Sequence, residues 1–138
     1  MKNRLRMIVT ILMAAVLALG LVIAPGTAQA KGKVALVSDV GGRGDLSFND
    51  MSFKGTDQAA ADFGLEMVGI QSATAADYLP NVRNAARSGS FDLIIAVGFF
   101  VTDAIATAAK EFPDQKFMII DSVVDATNVL SMFFNENE

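Results

Sequence analysis

The chain has 138 residues, with 11 basic and 15 acidic side chains for a net charge of −4, no cysteine and no histidine. Lack of cysteine excludes disulfides, thiol nucleophiles, zinc–thiolate sites and a lipid-modified N-terminal cysteine; lack of histidine removes the commonest general base and transition-metal ligand. An acidic balance without a basic patch argues against nucleic acid and anionic membrane surfaces as partners.

Residues 1–30 have the layout of a secretory signal. Lys2, Arg4 and Arg6 form a positive start, and an apolar run extends from Met7 to Ala24, interrupted only by Thr10. Pro25-Gly26 breaks the helix, and Ala28-Gln29-Ala30 supplies a peptidase site that predicts cleavage after Ala30. The apolar run approaches membrane-spanning length, which leaves an uncleaved anchor as the rival reading. Removing the leader takes away three basic residues and leaves eight basic against fifteen acidic ones, a net of −7. Residues 31–138 suffice for one small domain.

Strand and helix signals then alternate. Lys33–Ser38 is an apolar run ending at Asp39 and a glycine-rich loop, Gly41 to Gly44. Ser47 with Asp50 three residues on fits a capping box, and Phe53, Ala60 and Phe63 fit the inward face of a helix that Gly64 closes. Glu66–Gln71 reads as the second strand. A second helix is predicted over Asp77–Arg87, with Leu79, Val82 and Ala86 inward and Pro80 in its first turn. Phe91–Gly98 is the clearest strand, and its continuous apolar centre predicts cover on both faces. Thr102 is expected to cap a third helix with Ile105, Ala109 and Phe112 inward. Lys116–Ile120 is the fourth strand, ending at Asp121-Ser122, and Val129–Phe134 is a fifth with no helix after it.

This order predicts βαβ units: an α/β fold with a parallel sheet and helices on both faces. Ligands of open parallel sheets bind outside the carboxyl ends of the strands. There the sequence places Asp39 and the loop through Ser47, Phe48 and Asn49, then Gly98, Phe99 and Phe100, then Asp121 and Ser122. Aromatic faces and carboxylate acceptors suit a flat ring bearing hydroxyl or N–H donors. A phosphate cradle fits poorly: the loop lacks the third glycine of a dinucleotide motif and the Lys-Ser/Thr of a P-loop, and acidic residues surround it. Each phenylalanine could equally be a packing residue. The carboxylates around the loop also leave open a hard-metal or paired-carboxylate hydrolytic site, although the register of an EF-hand is missing.

Val37-Ser38-Asp39-Val40-Gly41-Gly42-Arg43-Gly44-Asp45-Leu46-Ser47-Phe48-Asn49 resembles the first-strand signature of the basic-membrane-protein family of substrate-binding proteins, which includes the purine nucleoside receptors of ABC importers. Asp92 to Gly98 followed by Phe99, the Phe112-Pro113-x-x-Lys116-Phe117 turn, Ile120-Asp121 and the ending from Phe134 to Glu138 add to the resemblance, which covers residues 33–138. It implies a type I periplasmic-binding fold whose two lobes close on a nucleoside and deliver it to a membrane permease, without catalysis, metal or cofactor, by a protein that is monomeric at full length. By position, Asp39 and Asn49 would bond the ligand and Phe48 would stack on the base. Asp121 would hold base or ribose, and Gly98 and Phe99 would line the cleft. Residues 31–138 would then be the N-terminal lobe of a longer protein. Many members are lipoproteins; without cysteine this chain is expected free in the periplasm or secreted. Two other readings stay open: a sensor presenting ligand occupancy to a receptor, and a carboxylate-dependent nucleoside hydrolase.

Overall fold

A computed structural model describes residues 31–134, so the expected leader lies outside the described residues. Among those described, no helix is long and apolar enough to cross a membrane. In chain order the elements are β1 (Lys33–Ser38), α1 (Phe48–Phe63), β2 (Glu66–Gln71), α2 (Tyr78–Arg87), β3 (Leu93–Val97), α3 (Thr102–Glu111), β4 (Phe117–Ile120) and β5 (Val129–Met132). The strands form one parallel sheet in the order β2-β1-β3-β4-β5. The fold is the expected α/β parallel sheet with helices on both faces.

Strand alternation divides the core in two. Ala35, Val37, Ile94, Ala96, Phe117 and Ile119 face α2 and α3, where Val82, Ile105 and Ala108 are fully buried. Leu36, Ile95 and Val97 face the other way and meet Phe53 of α1. On that side the expected cover of β3 on both faces is incomplete. α1 lies over the β1–β2 end, and a groove of about 670 Å³ remains between its Phe48 and Met51 and a floor of Leu93, Ile95, Met118 and Ile120.

Several local expectations change. Ser47 precedes α1 but its side chain makes no capping bond; the carboxylate of Asp45 takes that work, as described below. Phe63 is 64% exposed and not inward. At about 100° per residue it stands about 80° round the helix from Phe53, clear of the strip that touches the sheet. Thr102 is the first residue of α3 and follows a short 3-10 turn, Phe99–Val101; its hydroxyl donates back to Phe99 O at 2.6 Å and does not cap the helix. Gly64, as expected, closes α1 in the left-handed region (φ 67°).

The β4–β5 connection, residues 121–128, contains no helix. Two side chains hold it instead. Ser131 Oγ accepts from Val124 N at 2.9 Å, and Asn128 Nδ2 reaches the carbonyls of Ala109, Phe112 and Gln115 at 3.0–3.1 Å, pinning the C-terminal end of α3. Parallel pairing normally needs a longer crossover, so these bonds define how the fifth strand is added.

Candidate functional site

The chain leaves β1 toward β2 through α1, and leaves β3 toward β4 through α3. β1 and β3 are neighbours, so their carboxyl ends flank the point where the strand order reverses, the place where open α/β sheets hold ligands. Asp39 follows β1 and Gly98 follows β3. A Cβ added to Gly98 would lie 3.4 Å from Asp39 Oδ2, an ordinary contact distance, and the residue has φ 90°, so it is the backbone conformation that calls for glycine here.

Asp39 is held from the opposite side. Its Oδ1 accepts from Gly41 N at 2.8 Å and from Asn49 Nδ2 at 2.7 Å. Asn49 is 2% exposed. Its amide also donates to Asp45 Oδ2 at 2.9 Å, which commits both amide hydrogens to carboxylates. Asn49 Oδ1 is buried without a partner among the described residues, as is Ser38 Oγ.

Around these residues the loop amides are filled from within. Asp45 accepts from Ser47 N, Asn49 N and Asp50 N at 2.9–3.0 Å. Asp50 accepts from Gly44 N at 2.8 Å and Leu46 N at 3.0 Å. Burial raises the Asp45 carboxyl, but hydrogen bonds from the Ser47, Asp50 and Asn49 amides and the Asn49 side chain outweigh it and lower the group to about 2. Helix N-termini favour negative charge, and here the chain supplies that charge itself. Arg43 folds away over the Phe53 ring, 3.8 Å from its centroid, beside Asp57 at 3.3 Å.

Across the switch point, Phe99 and Phe100 are each 61% exposed, with ring centroids 4.1 Å apart. Gly98 N donates to Ile120 O at 2.9 Å, joining this turn to the end of β4. Asp121 follows at φ 65°, a conformation rarely held by a residue with a Cβ, and its N–H donates to Met132 O at 2.6 Å. Ser122 Oγ lies 2.7 Å from Thr102 Oγ1. Because the Thr102 hydrogen goes to Phe99 O, the Ser122 hydroxyl must be the donor of that pair.

The fold therefore packs Asp39, Asn49 and Gly98 together and sets Phe99 and Asp121 on the neighbouring turns of the same edge. Phe48 stands apart in its contacts: 37% exposed, it pairs with Phe134 at 6.0 Å between centroids and borders the apolar groove. Sequence reading missed Asp45 as the helix cap and the Thr102–Ser122 pair. An Asp two residues before the Ser-Phe-Asn segment was the available signal for the first; nothing local announced the second. Among the described residues no group of three or more Asp or Glu could hold a metal ion.

The family model for PnrA-like ABC transporter substrate-binding proteins matches residues 32–138. An uncharacterized lipoprotein of Pyrococcus furiosus is 39% identical over 110 residues, covering 78% of this chain and 28% of that protein. The ABC transporter nucleoside-binding protein BmpA of Lactococcus lactis is 36% identical over 111 residues, covering 77% of this chain and 31% of its own length. Among solved structures, an ABC transporter solute-binding protein of Aeropyrum pernix superposes with a TM-score of 0.72 at 40% identity, over 75% of this chain and 29% of that one. The chain spans about three tenths of the length of these relatives. The Pyrococcus name parts from the expectation of a protein without a lipid anchor; a thioether-linked lipid needs a cysteine, and these 138 residues contain none.

Proposed function

The chain belongs to the family of PnrA-like ABC transporter substrate-binding proteins, and from that membership we propose that it forms the first lobe of an extracytoplasmic nucleoside receptor. Members of this family bind substrates and do not transform them. In this reading a second lobe closes over the carboxyl edge of the sheet, and the loaded protein delivers its ligand to a membrane permease. The leader would be cleaved after Ala30, releasing the protein into the periplasm or the medium.

The observation that carries the proposal is the pairing of acceptors with exposed rings at one switch point. Asp39, fixed by Asn49 and facing Gly98, and Asp121, whose backbone N–H is tied to Met132 O, offer oxygen atoms to ribose hydroxyls or base N–H groups. Phe99, and Phe48 from the start of α1, offer faces to a flat ring. The Lactococcus relative, a nucleoside-binding protein by name, supports a nucleoside as the ligand.

Native mass spectrometry of the protein purified from its producing cells tests this. A bound species of nucleoside mass, released intact, is the expected result. A bound amino acid or metal ion, or a nucleoside recovered split into base and sugar, would overturn it.

A further inference from the structure

The hydroxyls of Ser122 and Thr102 join two turns at the carboxyl edge of the sheet, one after β3 and one after β4. Thr102 Oγ1 donates to Phe99 O at 2.6 Å, a back-bond common at the start of a helix. Its second partner is not local. The same oxygen accepts from Ser122 Oγ at 2.7 Å, 20 residues further along the chain. The bonds run in one direction, from Ser122 to Thr102 to the carbonyl of Phe99, so Ser122 has no hydrogen left to donate to a ligand.

Next to this clasp stands Asp121 at φ 65°. A residue with a Cβ stays in that region only where its surroundings over-determine it. Ties from three different elements do so here. Before Asp121, Ile120 O accepts from Gly98 N at 2.9 Å, at the end of β3. Asp121 N itself donates to Met132 O of β5 at 2.6 Å. After Asp121, the Ser122 hydroxyl is bonded to the first residue of α3. Beyond that point the connection to β5 has no helix, Val123 is exposed, and the next tie is Val124 N to Ser131 Oγ. Without the hydroxyl clasp, Asp121 would be anchored only through its own N–H and the residue before it.

We infer that Ser122 and Thr102 are positioning residues of the ligand site, whose hydroxyl pair holds Asp121 in the left-handed conformation before a ligand arrives. The inference rests on the nucleoside reading above, in which Asp121 is an acceptor for the ligand. An acceptor set in place beforehand has little conformational freedom to lose on binding, so the clasp contributes to affinity. Released from it, the residue can relax toward the β or right-handed region and carry its carboxylate away from the edge.

The test is calorimetric titration of the full-length protein and its variants with inosine, with melting temperatures measured alongside. Ser122→Ala and Thr102→Val, the second nearly isosteric, should each weaken binding about three- to tenfold. Thr102→Ser, which restores the hydroxyl, should recover most of what Thr102→Val loses. In an Asp121→Ala background, Ser122→Ala should change affinity by less than about twofold, because the group it positions is gone. A clasp that served stability alone would lower the melting temperature in every background and leave the affinity of the folded protein unchanged. Unchanged affinity in both Ser122→Ala and Thr102→Val, or a Ser122→Ala loss that persists undiminished without the Asp121 carboxylate, would overturn the inference and leave the nucleoside reading standing. Failure of inosine, adenosine and guanosine alike to bind the parent protein would overturn that reading and this inference with it.

Discussion

Asn49 Nδ2 donates to Asp39 Oδ1 at 2.7 Å, and this single bond ties the first turn of α1 to the carboxyl end of β1. The same amide reaches Asp45, so Asn49 is the neutral bridge between two carboxylates in a place closed to water. Asn49→Asp would put a third carboxylate between them with no hydrogen to share. The variant should lose about 2–4 kcal/mol of stability at pH 7, read by denaturant unfolding. The loss should diminish as pH falls toward 4, where a protonated Asp regains a donor. A variant as stable as the parent at pH 7 would show that the bridge is not under strain from like charge.

Asp45 gives the protein an acid-sensitive limb. Its carboxyl is lowered in the fold to about 2, against an ordinary value of about 3.9. A group lowered on folding stabilises above its unfolded value, and that contribution is lost as pH drops from about 4 through about 2. Unfolding midpoints measured at pH 6, 4 and 2.5 should therefore fall more steeply in the parent than in Asp45→Asn. Parallel curves would remove Asp45 from the account of acid unfolding.

Asp121 separates binding from stability. Its φ of 65° suits glycine better than any residue with a Cβ. Asp121→Gly should keep or slightly raise the melting temperature, whereas Asp121→Ala, which keeps the strain, should not gain. Both should weaken nucleoside binding by about 1–3 kcal/mol through the lost carboxylate acceptor. Undiminished affinity in both variants would take Asp121 out of the site.

Gly69 sits in β2 under the ring of α1's Phe53: an added Cβ would come within 2.8 Å of Phe53 Cε1. Gly69→Ala should push that ring against Arg43 and cost about 1–3 kcal/mol, as overpacked cores do. Phe53→Leu in the same chain should recover part of the loss, and a double-variant cycle with no coupling would refute the contact.

Asn128→Ala should cost about 1–3 kcal/mol, because its amide serves the carbonyls that end α3 and those carbonyls would lose their partner. Hydrogen exchange should quicken in β5 before β1. Uniform exchange across the sheet would mean that the fifth strand does not depend on this tie.

The parallel order was legible in the sequence because each strand is a short apolar run and each of the first three is followed by a helical repeat. β3 was the clearest, since Ile94, Ile95, Ala96 and Val97 are all buried. What periodicity could not show was how far one helix reaches. Phe63 belongs by composition to an inward face and by angle to the outside, and β3 read as covered on both faces although α1 leaves its Leu93 and Ile95 lining an open groove. The cap of α1 was misread for a chemical reason. Ser47 has the preferred residue type, but a carboxylate at Asp45 accepts three amide hydrogens at once and displaces it. For the site, position after a strand sufficed to gather Asp39, Asn49, Gly98, Phe99 and Asp121 at one edge, since that edge follows from topology. The direction of each hydrogen bond was not legible, because it depends on which partner has already used its proton.

The sheet order also governs the time at which this protein can exist. β1 is the first strand made, yet it lies between β2 and β3, and its second partner is complete only at Val97. A chain emerging from its N-terminus cannot close its centre on any shorter prefix: β1 can pair with β2 once Gln71 is made, but its other edge stays bare until β3 has followed. Anything that interrupts emergence before Val97 leaves that strand free to pair with another chain.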